Sequence, residues 1–460
     1  MAAWSYREAL EELWRRSSYE RGLISNPFGG PERAALGLRR MRALLTELGE
    51  PQRAVPLVHV AGSKGKGSTC ALISSCARQA GLKTGLYSSP HLHRFPERIA
   101  IDGQPVTDST FASLAAEVAS AASRLEAADP ELDTVTTFEM VTAMAFLAFA
   151  QAQCDLAVIE VGLGGLLDAT NVIEPLVTVI TLIDYEHTAV LGNTLTEIAQ
   201  QKAGILRAGT PVVVSPQPLE AATAIRQVAA ELGSPLLMGN VDWHWEGDWR
   251  DFTATGPWGI WPELRVGFPG PHQVENACTA IAALYVLGAH GLSIPESAVR
   301  AGLENARWAG RFERIQVNDQ DLVLDGAHTP AAARALVDTW RSEIGADAAA
   351  VIVGMGNDKD LAAFLAELKP LTSRLIATRA SSPRAASPEA IAAAAAAQGF
   401  AVQVVHDVPS ALHATRAESP LLVTGSLFVA GEAREAFGLA EPDIEWAAIN
   451  AAHLTGTGAP

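Results

Sequence analysis

The run His59-Val-Ala-Gly-Ser-Lys-Gly-Lys-Gly-Ser-Thr69 places glycines at 62, 65 and 67, lysines at 64 and 66, and serines at 63 and 68. Glycines at this density let the backbone turn tightly and approach a ligand closely, so several N–H groups can face one phosphate chain. Lys66 adds a mobile positive charge, and Ser68 stands where a hydroxyl could reach a phosphate or Mg²⁺. The generic phosphate-loop spacing is not kept strictly. Val60 takes the first glycine position, and Gly67 separates Lys66 from Ser68. A ligand-free glycine turn between strand and helix is the plainer reading, which two lysines in one loop disfavour.

Two further positions follow apolar runs. Glu160 lies near the end of Leu156 to Val161, and His187 follows Val177 to Ile183 through Asp184, Tyr185 and Glu186. A carboxylate at the end of a buried strand suits Mg²⁺, which prefers oxygen donors shared with nucleotide phosphates. The same carboxylate could cap a neighbouring helix, and a lone histidine after a strand is more often structural than liganding.

Such residues need a sheet to hold them. Leu57 to Val60, Leu156 to Val161, Val177 to Ile183 and Val212 to Val214 read as buried parallel strands. Helical segments lie between, at about Gly67 to Ala80, Ser109 to Ala127 and Phe138 to Ala150; residues 5–16 and 31–48 read as surface helices joined by a loop from Asn26 to Pro31. This alternation predicts an α/β fold with an N-terminal doubly wound P-loop ATPase domain. Between Asp242 and Phe268, Trp243, Trp245, Trp249, Trp258 and Trp261 predict a small antiparallel β portion in which aromatic packing is favoured over a substrate patch. After a helix at Glu275 to Leu287, a second strand–helix series uses Leu322 to Leu324, Ala350 to Val353, Arg374 to Ala377, Val402 to Val405 and Leu421 to Thr424. It predicts a smaller C-terminal Rossmann-like α/β domain, with the boundary between residues 309 and 310.

Composition limits the function. With 460 residues, two domains are expected. A net charge of -17 argues against nucleic-acid or membrane-surface binding. Cys70, Cys76, Cys154 and Cys278 form no paired motif, which points to buried thiols in a reduced cytoplasmic protein. The charged N-terminus lacks the apolar run of a signal peptide, and no apolar stretch is long enough to span a bilayer.

The chain resembles the folylpolyglutamate synthase/dihydrofolate synthase branch of the Mur ligase family over nearly its whole length. The resemblance rests on HVAGSKGKGS, SSPHLHRFPERI, TTFEMVTAMAF, DLAVIEVGLGG with LDATNVI, EHTAVLGNTLTEIAQQKAGI, PGPHQVENA, WAGRFE, DGAHTP, GMGNDKD and TGSLFVAGEAR, in that order. The SPHLHRFPERI and LDATNVI segments point to the folate branch rather than to cell-wall ligases.

The resemblance implies an ATP-dependent ligase joining L-glutamate to a folate, with dihydropteroate as the alternative acceptor, acting as a monomer. It implies that Gly62, Ser63, Lys64, Gly65, Lys66, Gly67 and Ser68 hold the ATP phosphates, and that Ser68, Ser89, Glu160 and His187 serve Mg²⁺. By the same likeness Lys202 is carbamylated by CO₂ and Asn276 lies near the adenine. Arg311 and Asp325 match phosphate and ribose contacts, with His328 and Ser426 at the inter-domain glutamate site. Read alone, Lys202 could be an exposed lysine near a helix C-terminus. Leu166 stands where arginine is common, Thr329 where asparagine is, Lys64 where asparagine is frequent, and Asp184-Tyr185-Glu186 where Gly-Leu-Asp is common. None removes an implied ligand, though these changes also admit a nucleotide-binding paralogue without ligase activity.

Overall fold

Residues 4–17, 26, 31–317 and 320–444 are described by the computed structural model of the chain. Of the expected loop between Asn26 and Pro31, residues 27–30 lie outside the described residues. The chain divides into two units. One holds Met1–His91, Phe95–Gly267 and Gln273–Ala306; the other holds Leu92–Arg94, Phe268–His272 and Arg307–Pro460.

The first unit is built on an eight-stranded sheet: β1 (Leu57–Ala61), β2 (Thr84–Tyr87), β3 (Ile99–Ile101), β4 (Gln104–Pro105), β5 (Leu156–Glu160), β6 (Val177–Ile180), β7 (Val212–Val214) and β8 (Leu236–Met238). Their order is β4-β3-β2-β5-β1-β6-β7-β8. From β2 to β8 neighbouring strands run parallel, while β3 and β4 add an antiparallel edge. Every residue of β1, β5 and β6 is buried, because helices cover both faces, and this explains their unbroken apolar sequences. The sequence reading does not include β2, the edge strands β3 and β4 or the outer β8, none of which carries a run of β-branched residues like Val212–Val214. The β3–β4 turn does carry a local signal. Asp102 and Gly103 both have positive φ, 51° and 75°, as a two-residue hairpin turn needs.

β6 is shorter than the expected Val177–Ile183 run. It stops at Ile180 because Leu182 O accepts Ser63 N and Lys64 N, at 2.9 and 3.0 Å, instead of continuing the ladder. The tryptophan-rich segment forms the expected antiparallel sheet from β9 (His244–Asp248), β10 (Asp251–Gly256) and β11 (Gly259–Leu264). Trp243 packs on Trp245, and Trp258 on Trp261 and Tyr285, so packing accounts for these rings. The helix after them runs from Pro271 to Ala289, earlier than the expected Glu275.

The second unit has six strands: β12 (Glu313–Val317), β13 (Gln320–Leu324), β14 (Ala350–Val353), β15 (Arg374–Ala377), β16 (Ala401–Val404) and β17 (Leu421–Thr424). Their order is β12-β13-β17-β14-β15-β16, parallel except for β12. Apolar clusters lie on both sides of this sheet, one around Trp340, Phe364 and Leu375 and one around Ile352, Leu412 and Val423. All four cysteines are free and buried. Among the described residues, no helix is long and apolar enough to cross a membrane.

Candidate active site

β1 lies between β5 and β6 with Val60 opposite Glu160 and Ala61 opposite Ile180. The turn after β1, the end of β5 and the loop after β6 therefore open at one edge of the sheet, where parallel α/β sheets hold ligands. Gly62 (φ +149°) could not be another residue, since a Cβ there would lie 1.8 Å from Thr181 Oγ1. Gly65 (φ +86°) is the N-cap of the helix Lys66–Gln79. A Cβ on Gly65 would lie 2.2 Å from Asn276 Oδ1, so Asn276 packs directly on the glycine-rich turn. Lys66, expected in the turn before a helix from about Gly67, is instead the half-buried first residue of that helix. Gly67 and the buried Ser68 follow it in the first turn.

Three lysines converge here. Lys66 Nζ donates to Gly62 O at 3.0 Å, and Lys202 Nζ donates to the same oxygen at 2.7 Å. Lys64 Nζ lies 3.6 Å from Glu186 Oε1. The loop bearing Glu186 is stitched to the glycine-rich turn, because Ser63 Oγ donates to Asp184 O at 2.8 Å. Burial raises the Glu186 carboxyl, but Lys66 and Lys64 overcome it and hold the group down at about 2. Lys202 is 2% exposed, which removes the reading of an exposed helix-end lysine. Burial first, then Lys66, pushes its ammonium down to about 7.

The loop after β5 joins Glu160 to Lys202. Ser89 N donates to Glu160 Oε2 at 3.2 Å, so the backbone after β2 meets the carboxylate. Asp168 accepts Leu163 N at 2.8 Å, Thr170 N at 3.0 Å and the Thr170 hydroxyl at 2.6 Å, closing the segment after Glu160 into a rigid loop. His59, on β1, meets Thr170 Oγ1 at 2.9 Å through Nε2. Burial lowers its imidazole to about 3, so it is neutral. The loop rests on the helix Leu195–Ala203. Leu166 N donates to Gln201 O at 2.8 Å, and a Cβ on Gly165 would lie 2.9 Å from both Gln201 O and Lys202 O. Leu166 is 43% exposed and lies over Gly204. The helix itself starts with a capping box, Thr194 with Glu197, so part of the NTLTE motif serves the helix end. His187 has φ 50° and precedes the short turn Thr188–Leu191; its Nε2 lies 3.8 Å from Glu186 Oε1.

In the second unit, the loops after β13 and β17 are joined by Gly425 N donating to Ala327 O at 3.0 Å, which brings the His328 and Ser426 segments together. His328 Nδ1 meets Gly326 O at 2.9 Å. Asp325 accepts Phe312 N and Ala327 N, both at 2.8 Å, and fixes the turn beside Arg311, whose Nη1 donates to Gly310 O at 3.1 Å. Thr329 caps the helix Pro330–Glu343, and Ser426 caps Leu427–Ala436. The threonine in place of asparagine thus has a helix-capping role.

Comparison with known proteins decides the family. Residues 60–284 match the Mur ligase middle domain, and residues 310–427 match the Mur ligase glutamate ligase domain. The folylpolyglutamate synthase of Lacticaseibacillus casei is 34% identical over 411 residues, covering 86% of this chain and 93% of that protein. The dihydrofolate synthase/folylpolyglutamate synthase of Bacillus subtilis is 36% identical over 333 residues, covering 70% and 76%. A crystal structure of Mycobacterium tuberculosis folylpolyglutamate synthase complexed with ADP and AMPPCP matches with a TM-score of 0.82 and 31% identity, over 88% of this chain and 96% of that one. The chain belongs to the folylpolyglutamate synthase/dihydrofolate synthase branch of the Mur ligase family.

For this Mur ligase the donor set decides what cation fits. Among the described residues, no group of three or more His, Cys, Asp or Glu side chains gathers closely enough to hold a metal alone. Glu160 ends β5 as a single buried carboxylate beside the Ser89 backbone, a hard oxygen donor carrying one charge. That suits Mg²⁺ sharing its coordination with nucleotide phosphates rather than a cation bound only by protein. Sequence reading passed over Glu186 and Asp168. Each is a carboxylate close behind an apolar strand, which was the available signal; what each meets depends on tertiary contacts.

Proposed function

We propose that the phosphate turn Gly62–Ser68, Glu160, His187 and Lys202 form the catalytic centre of an ATP-dependent ligase that adds L-glutamate to the γ-carboxylate of a folate. The observation that supports this most is the convergence of Lys66 and Lys202 on Gly62 O, in the glycine-rich turn that follows β1. A neutral carbonyl is a weak counterpart for the Lys66 ammonium, for which a polyphosphate is the natural partner, and the pressure of Lys66 on the buried Lys202 favours the neutral amine there.

In the first step a carboxylate oxygen of the folate attacks the γ-phosphorus of ATP; the bond to the β–γ bridging oxygen breaks and ADP leaves. The deprotonated amine of glutamate then attacks the acyl-phosphate carbonyl, and inorganic phosphate leaves as the amide forms. Lys66 offsets the charge on the transferred phosphoryl group, and the N–H groups at the start of the helix Lys66–Gln79 hold the phosphates, since Ser63 N and Lys64 N are already bonded to Leu182 O. Ser68, Ser89, Glu160 and His187 would hold Mg²⁺, which when bound neutralises charge shared between phosphate oxygens. Lys202 is proposed to react as a neutral amine with CO₂; its carbamate would be an anionic oxygen group beside these residues. Asn276 is proposed to serve the nucleotide side, Arg311 and Asp325 further nucleotide contacts, and His328 with Ser426 the incoming glutamate.

A second acceptor is favoured by one observation: the Bacillus subtilis relative carries both dihydrofolate synthase and folylpolyglutamate synthase in its name. Dihydropteroate is accordingly proposed as an alternative acceptor. The test is ATP-dependent phosphate release with tetrahydrofolate, dihydropteroate or a UDP-muramyl peptide, each with and without glutamate. Release is expected only with a folate or pteroate together with glutamate; release with the muramyl peptide, or independent of glutamate, contradicts the reading.

A further inference from the structure

Glu186 is the carboxylate against which the lysines of the phosphate turn are set, and its own position is fixed by that turn. Its loop is bound through Ser63 Oγ to Asp184 O, through Ser63 N and Lys64 N to Leu182 O, and through Ile183 N to Gln217 Oε1 at 2.9 Å. The Glu186 side chain is 12% exposed and Lys64 23%, so the pair is largely withdrawn from water. Yet the two heads stand 3.6 Å apart, within ion-pair range but beyond a normal hydrogen bond. Lys66 and Lys202 are meanwhile held by a neutral carbonyl. Lys66 and Lys202 also feel the Glu186 charge, but Lys64 is the lysine whose head stands in ion-pair range of it, and it stands there loosely.

We infer that Glu186 acts as a built-in stand-in for nucleotide phosphate: it keeps Lys64 folded into the turn, yields it to the arriving phosphate chain, and then opposes that chain. The inference rests on the reading of Gly62–Ser68 as the phosphate turn. A carboxylate left beside a polyphosphate in a poorly hydrated site weakens its hold, because like charges there are little screened. Glu186 is therefore a positioning residue that limits nucleotide affinity and hastens ADP departure, rather than one that acts on the reacting atoms. Lys64, freed from it, becomes a second phosphate-binding lysine beside Lys66.

The test measures equilibrium binding and dissociation of ATP and ADP in magnesium-free buffer, so that loss of a metal ligand cannot imitate the result. Variants are Glu186→Gln, Lys64→Met, the double variant and Lys66→Ala, each checked by thermal melting. Glu186→Gln keeps the shape of the side chain, and the expected result is about tenfold tighter ATP with slower ADP release. Lys64→Met should weaken ATP binding both alone and in the Glu186→Gln background. A Glu186→Gln protein that melts like wild type but binds ATP equally or more weakly overturns the inference, as does a Lys64→Met protein with unchanged affinity. Lys66→Ala separates the two levels. If it loses ATP while Glu186→Gln fails to tighten it, only the role of Glu186 falls. If Lys66→Ala binds as wild type, the phosphate-turn reading falls and takes the inference with it.

Discussion

At the scale of single residues the site is a problem in placing charge. Lys66 is half-buried, donates to a backbone carbonyl and faces the charge of Glu186, so its ammonium contributes only modestly to stability before phosphates are present. Lys66→Ala is expected to melt within a few degrees of wild type and to lose ligation; near-normal turnover at saturating ATP would remove it from the mechanism. For Glu160, the Gln variant retains an acceptor for Ser89 N but loses the anion. Its magnesium requirement should rise steeply, and an unchanged magnesium titration would reduce Glu160 to a backbone anchor. Lys202 makes a pH prediction. With its folded value pushed down to about 7, the amine is mostly neutral just above that pH, where a free lysine would still be charged. Carbamate detected by ¹³C NMR with labelled bicarbonate should therefore grow as pH rises through about 7 and vanish below it. The linkage has a definite sign. Between about 7 and the ordinary lysine value the unfolded chain binds more protons, so this group makes the protein more stable as pH rises across that window. Lys202→Ala should be inactive and partly restored by acetate; activity without any additive would exclude the carbamate.

At the scale of elements, the site is a set of loops held by one another. Gly165 is buried, has no positive φ, and faces the carbonyls of Gln201 and Lys202. Gly165→Ala should push the helix Leu195–Ala203 away from the sheet, costing roughly 1–3 kcal/mol in urea unfolding and most of the turnover. Wild-type stability and rate would show that the loop does not set Lys202. This level was only half legible in the sequence. The glycine-rich turn, the strand ends at Glu160 and the order of motifs could be read because each is local. The meeting of Lys66 and Lys202 on Gly62 O could not, since those lysines are far apart in sequence and meet only after β1, β5 and β6 pair. The capping boxes Thr136 with Glu139 and Thr194 with Glu197 were present as local signals inside motifs that the family resemblance had already absorbed. Leu182 was read into a strand on apolarity, whereas its carbonyl serves the phosphate turn.

For the whole molecule, the two α/β units carry different parts of the proposed chemistry: phosphates, metal and Lys202 in the first, and Arg311, Asp325, His328 and Ser426 in the second. In an acid-rich chain with a net charge of -17, the lysines proposed to bind phosphate, Lys64 and Lys66, sit in one small turn, so the proposed site would attract a nucleotide while general affinity for polyanions stays low. The central claim is that a folate carboxyl oxygen is transferred to phosphate through an acyl phosphate. Folate labelled with ¹⁸O in its γ-carboxylate, incubated with ATP, glutamate and the protein, tests it directly by mass spectrometry of the products. The account predicts one ¹⁸O in the inorganic phosphate for each new amide and one retained in the amide carbonyl, with ADP formed in equal amount. Unlabelled phosphate, or label appearing in AMP, would contradict it.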